Sequence, residues 1–162
     1  MQHRQHVVSY LKWVRAISVS LLKDWPQDKF AHQLQPTDNH PIWVMGHLAS
    51  TDTWIGGLYG IKGTEVPESY SKLFGPGSKP SEKDAYPSAS DVRATFERTR
   101  GALLAWLEEA PETVLDASIK EKTGGFADDG WDAMLKLAWH EGLHFGQVAT
   151  IRKGLGLPPV MG

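Results

Sequence analysis

The chain has no cysteine. That excludes disulfides, thiolate metal ligands and a cysteine nucleophile together. Any thiol chemistry would need a thiol brought in from outside. Long apolar runs are also missing: no stretch approaches about 18 consecutive apolar residues, so no membrane span is expected. Charge of one sign is not in excess either, with a formal net charge of −2 over 162 residues. Lys and Arg are scattered and form no basic stripe of the kind a phosphate backbone requires, which argues against a nucleic-acid partner. The opening stretch MQHRQHVVSYLKW lacks a signal-peptide pattern, so a cytoplasmic location is expected.

What is present fits a single domain over residues 1–162, large enough to bury a core. The apolar fraction of 41% and the charged fraction of 22% are ordinary for a soluble domain. Seven Trp is a high count, and the plain reading is that they fill a helical core.

Four segments carry helical periodicity. In the first, roughly 3–23, Val7, Tyr10, Val14, Ile17 and Leu21 mark one face. The second is expected over 39–59, with Asn39 as N-cap, Pro41 in the first turn and Gly60 beyond the end. Its face reads His40, Val44, His47, Thr51, Trp54, Leu58. The third opens on Ser88 and Asp91, a capping-box spacing, and carries Val92, Phe96, Thr99, Leu103, Trp106 and Ala110. The fourth follows Asp128 or Asp129 and stops at Arg152-Lys153-Gly154. Between the second and third, eight of the 28 residues in 60–87 are Gly or Pro, and no stripe is visible. Such a connection is long enough to cross a bundle end to end. The expectation is an all-α four-helix bundle with a long crossover between helices two and three.

Two of these stripes are interrupted by polar residues. The fourth reads Ala133, Leu137, His140, His144, Gln147, Ile151, apolar at its ends and polar in its middle. The second places His47 and Thr51 between Val44 and Trp54. Buried polar groups without partners cost a few kcal/mol each. One bound ion would serve all three imidazoles. Residues at i and i+4 have Cβ atoms about 6 Å apart on one helical face, close enough for His140 and His144 to share a metal. His47 from a facing helix completes the set and leaves a coordination position open. His3, His6 and His32 read as surface residues, and His40 as a surface or capping residue.

HEGLH at 140–144 also fits the H-E-x-x-H pattern of zinc peptidases. Their third ligand comes from further along the chain. Here the residues after His144, FGQVATIRKGLGLPPVMG, hold no His, Asp, Glu or Cys. A peptidase is therefore not expected.

The chain resembles the DinB/YfiT-like superfamily. The resemblance rests on W-x-x-x-H-L at 43–48, H-E-x-x-H-x-x-Q at 140–147 and L-G-L-P-P at 155–159. YSKLFGPG at 70–77 and YPSASDV at 86–92 add to it. It implies a bundle with the same crossover and a divalent metal, zinc or nickel, held by His47, His140 and His144. It also implies metal-dependent transferases and isomerases that use a low-molecular-weight thiol as co-substrate, and frequent homodimers. The reading that follows is a metal-dependent enzyme, a thiol-dependent S-transferase or hydrolase acting on a small molecule. The rival is a non-catalytic metal- or small-ligand-binding stress-response protein. Glu141, beside the first candidate ligand, is the candidate general base, a partner of a neighbouring imidazole, or else a surface or interhelical carboxylate. Trp43 is a candidate cleft wall or else a packing residue, Thr51 and Gln147 are candidate contacts to substrate or ligands with a core amide as the other reading of Gln147, and Tyr70 and Phe74 either cover the cleft or lie in a disordered loop tip.

Overall fold

A computed structural model describes residues 2–81 and 85–160. Among the described residues every regular element is helical. Four long helices are present: α1 (Gln2–Leu21), α2 (Pro41–Leu58), α4 (Ala89–Glu109) and α6 (Gly130–Gly154). Two short ones, α3 (Ser69–Phe74) and α5 (Glu112–Leu115), lie between them. α2 packs on α4 and α1 on α6, and α1 also meets α4 and α2 meets α6, so each long helix has two long neighbours. No helix among the described residues is long and apolar enough to cross a membrane.

Local chemistry explains the helix ends. Ser88 Oγ accepts from the Asp91 amide and Asp129 accepts from the Asp132 amide, each satisfying an orphan donor of a first turn. After α2 the chain reverses through Gly60, whose φ of 63° is a left-handed conformation that disfavours a side chain. One cap differs from expectation. His40, not Asn39, caps α2, its Nδ1 accepting from the Trp43 amide at 3.2 Å.

The buried faces also differ from the single stripes. On α1 the buried residues are Val7, Val8, Leu11, Val14, Arg15 and Ser18, while Tyr10 is exposed. Of the seven Trp only Trp25 and Trp43 are buried; Trp13, Trp54 and Trp139 are exposed. Trp106 and Trp131 are partly buried and pack against the core, so the aromatic-core reading holds for four of the seven.

The 60–87 connection contains α3, which six residues of sequence were too short to reveal. Tyr70 and Phe74 turn inward from it and are buried against α2, rather than covering a cleft. The Phe74 ring sits directly on Gly46, where any Cβ would collide with it. This close seat fixes α3 on α2 and brings the Phe74 carbonyl to His47.

The core has two apolar clusters. One gathers Leu11, Val14, Ile55, Leu103 and Leu137; the other gathers Trp43, Leu48, Phe74, Phe96 and Phe145. On each long helix a charged residue falls at the boundary between them: Arg15, Asp52, Arg100 and Glu141.

Candidate metal centre and the ionic layer behind it

The three histidines converge. His47 Nε2 is 3.2 Å from His140 Nε2, and His144 Nε2 is 3.0 Å from the same atom. A tetrahedral site with metal–nitrogen distances of 2.0–2.1 Å has edges of about 3.3 Å, so these spacings are nearly those of ligands on one ion. The tautomers agree. His47 Nδ1–H donates to the Phe74 carbonyl at 2.8 Å, and His144 Nδ1–H donates to Gln147 Oε1 at 3.2 Å. Both rings therefore turn a bare Nε2 lone pair inward. A proton on His140 Nε2 could serve only one of them. A cation at the centre satisfies all three, so the residues fit a metal. Taken together, His47, His140 and His144 could hold a metal ion, with every donor atom within 4.8 Å of the others. His140 Nδ1 is buried with no hydrogen-bond partner among the described residues.

All three rings are held neutral, the form a metal needs. Burial pushes His140 down to about 4, helped by the neighbouring imidazoles and by Arg100. Burial lowers His47 and His144 as well, against the opposing bonds to Phe74 and Gln147.

Trp43 forms a wall. Its ring stacks on His47 at 4.6 Å and meets His144 edge-on at 5.7 Å, while its indole N–H donates to Ser78 Oγ at 3.0 Å. Gln147 is itself steadied by Asn39, whose Nδ2 donates to the same Oε1 at 3.2 Å. Thr51 turns its hydroxyl back onto the His47 carbonyl of its own helix. Tyr70 contributes indirectly, its ring 4.7 Å from Phe74.

Glu141 takes the interhelical place rather than the catalytic one. Its side chain is 0% exposed and turned toward α1 and α4. Oε1 accepts from Arg15 Nε at 2.8 Å, and Oε2 accepts from Arg15 Nη2 at 3.0 Å and lies 2.9 Å from Arg100 Nη1. Burial alone would raise this carboxyl, but Arg100 and Arg15 hold it below the usual carboxylate range. Both oxygens are engaged by guanidinium groups and neither bonds to an imidazole. This geometry suits neither a general base facing the cleft nor a hydrogen-bonded support of a ligand ring.

The same layer holds Asp52, which accepts from Arg100 Nη2 at 2.7 Å and Nε at 3.1 Å, and from Arg15 Nη2 at 3.4 Å. Arg15 also donates to the Phe96 carbonyl and lies over the Phe96 ring. Two cations and two anions, one from each long helix, thus balance in the interior. Sequence reading missed Arg15, Asp52 and Arg100. A signal was there: Asp52 is the only Asp, Glu, Lys or Arg in the 18 residues of α2.

The DinB superfamily profile matches residues 10–148, which include His47, His140 and His144. The chain belongs to the DinB superfamily. A comparison with curated proteins finds no match. In this DinB-superfamily chain, the family match and the three-His cluster are compatible with a metal-binding protein.

Proposed function

We propose that this DinB-superfamily protein is a metal-dependent enzyme, a thiol-dependent S-transferase or a hydrolase acting on a small molecule. The observation that carries the reading is the convergence of three neutral imidazoles whose outer nitrogens are fixed on two of the three rings. His47, His140 and His144 would hold one divalent ion, zinc or nickel. Such an ion, keeping its full charge among neutral ligands, supplies Lewis acidity that makes water or a low-molecular-weight thiol easier to deprotonate. The chain's own residues orient and shield: the Phe74 carbonyl and Gln147 set two rings, and Trp43 closes one side. Partial exposure of His47 and His140 supports access from solvent. Glu141 belongs to the scaffold in this reading, tying α6 to α1 and α4.

The reading also takes α1, α2, α4 and α6 as one four-helix bundle, with the connection after α2 as its crossover. It takes the chain as a single cytoplasmic domain with no nucleic-acid or membrane partner. The engaged state of Glu141 favours one alternative, a non-catalytic metal- or small-ligand-binding protein of a stress response, which needs no free carboxylate. Metal-loaded protein screened with several thiols and electrophiles, and with esters and amides, separates the two. Turnover that needs the ion is expected. Full metal occupancy with no turnover across the screen would transfer the assignment to the binding protein.

A homodimer is part of the proposal. The outer face of α6 supports it, with Leu135, Trp139 and Leu143 exposed and open space beyond Gly142 and Gly146. That face carries no charge between Lys136 and Arg152, apart from the inward Glu141. Sedimentation at micromolar concentration should give about twice the 18.0 kDa chain mass. Trp139→Glu should return it to one chain mass. A monomeric parent protein would remove the dimer and leave the metal site untouched.

A further inference from the structure

α2 and α6 run in opposite directions past the histidines. Asn39 meets Gln147, Trp43 meets His144, and His47 meets His140. Further along the same seam Trp54 meets Phe126, the rings edge to face at 5.4 Å, and Lys136 stands 6.0 Å from the Phe126 ring. Trp54 follows His47 by seven residues on one helical face, which is about 10 Å of axial rise. Lys136 precedes His140 by one turn. The aromatic pair therefore lies in line with the three histidines, displaced along the seam in one direction.

This pair is held in place but not covered. Trp54 is 41% exposed. Phe126 is presented by a tied loop: Thr123 Oγ1 donates to the Ala127 carbonyl at 2.9 Å and accepts from the Ala127 amide at 3.1 Å. The neighbouring cation is committed, since Lys136 Nζ is 2.7 Å from Asp132 Oδ2. The surface offered is thus an exposed indole face edged by a second ring, with its adjoining cation paired. Interior aromatics elsewhere in the chain are packed away, as Phe74 and Phe96 are.

We infer that Trp54 and Phe126 form the subsite that selects the substrate of the proposed metal centre: a molecule with a metal-binding head and an uncharged planar apolar body about 10 Å from it. This rests on the metal-centre reading above and adds the substrate class to it. Trp54 makes the stacking contact, and Phe126 sets its edge.

Two probes test it on the full metal-loaded protein. Acetohydroxamate has only the metal-binding head; 4-phenylbutanohydroxamate adds a ring on a three-carbon spacer of suitable reach. Binding is read by calorimetry and by tryptophan fluorescence. The phenyl compound should bind about tenfold more tightly or better, the scale expected for a stacked, partly buried ring. Trp54→Ala should bring the two affinities to within about twofold while metal content and acetohydroxamate affinity stay as in the parent. Phe126→Ala should reduce the preference in part. Equal affinities in the parent protein, or a preference that survives Trp54→Ala, would overturn the subsite and leave the metal centre standing. No binding of acetohydroxamate to fully loaded protein would instead overturn the accessible metal centre, and this inference with it.

Discussion

Asp52→Ala should be the most destabilising single substitution in this chain. It leaves two guanidinium groups, Arg15 and Arg100, sharing only Glu141 in the interior. Breaking a buried ion pair by removing one partner costs about 3–5 kcal/mol, because a charge is left uncompensated away from water. Domains have about 5–15 kcal/mol in all. For a chain of this size the loss corresponds to a fall in melting temperature of roughly 6–20 °C. The Lys12–Glu108 pair is a useful comparison: at 2.6 Å it is shorter than any ion pair of the buried layer, but both side chains are about half exposed. Lys12→Ala should change stability by less than about 1 kcal/mol. The double variant Asp52→Ala with Arg100→Met restores charge balance and should recover much of the single variant's loss. If Asp52→Ala melts no lower than Lys12→Ala, or if the double variant shows the plain sum of its two single effects, the four residues do not act as a coupled layer.

That layer also shows what could be read from sequence and what could not. The three histidines were legible because each interrupts an otherwise apolar stripe, and a polar residue in a stripe points to a ligand. Helix ends were legible where a side chain or a glycine dictates them, as at Ser88, Asp129 and Gly60. The ionic layer was not. Arg15, Asp52, Arg100 and Glu141 each directly follow a residue placed on the expected stripe: Val14, Thr51, Thr99 and His140. One residue is a rotation of about 100°, so a single 3–4 stripe leaves these positions off the inner face. The buried arc of each helix is wider than one stripe because each has two long neighbours. The interhelical place of Glu141 follows from the same geometry. Adjacent to His140 in sequence, it points a quarter-turn or more away from it. α3 was hidden for a different reason: a helix of six residues, held by Tyr70 and Phe74, is too short to show a periodicity.

The layer and the site share one level of the fold, and this gives α6 two tasks a single residue apart. His140 faces the seam with α2, while Glu141 faces α1 and α4. A helix anchored by a buried ionic bond beside His140 has little freedom to rotate, which would hold the imidazoles converged for the proposed ion. Preorganisation of this kind raises affinity by lowering the ordering cost of binding.

Removing any one of the three imidazoles should abolish tight metal binding. The parent protein should hold close to one divalent ion per chain, measured by elemental analysis after exhaustive dialysis. His47→Ala, His140→Ala and His144→Ala each leave two ligands, and affinity should fall by more than about 100-fold, beyond the 10–100-fold typical of losing an outer hydrogen-bond partner. Gln147→Ala removes the acceptor that fixes the His144 ring and should fall within that smaller range. Thr51→Ala should leave affinity unchanged, since its hydroxyl bonds to its own helix. Acidification gives an independent check. A free imidazole takes up a proton near about 6.5, but burial pushes His140 down to about 4 and lowers the other two. Protons therefore compete with the ion only below the ordinary histidine range. Occupancy should stay level through about pH 6.5 and be lost as the pH falls toward 4. Full occupancy in His47→Ala at unchanged affinity would show that the ion is held elsewhere, and retention well below pH 4 would point to carboxylate ligands rather than these three rings.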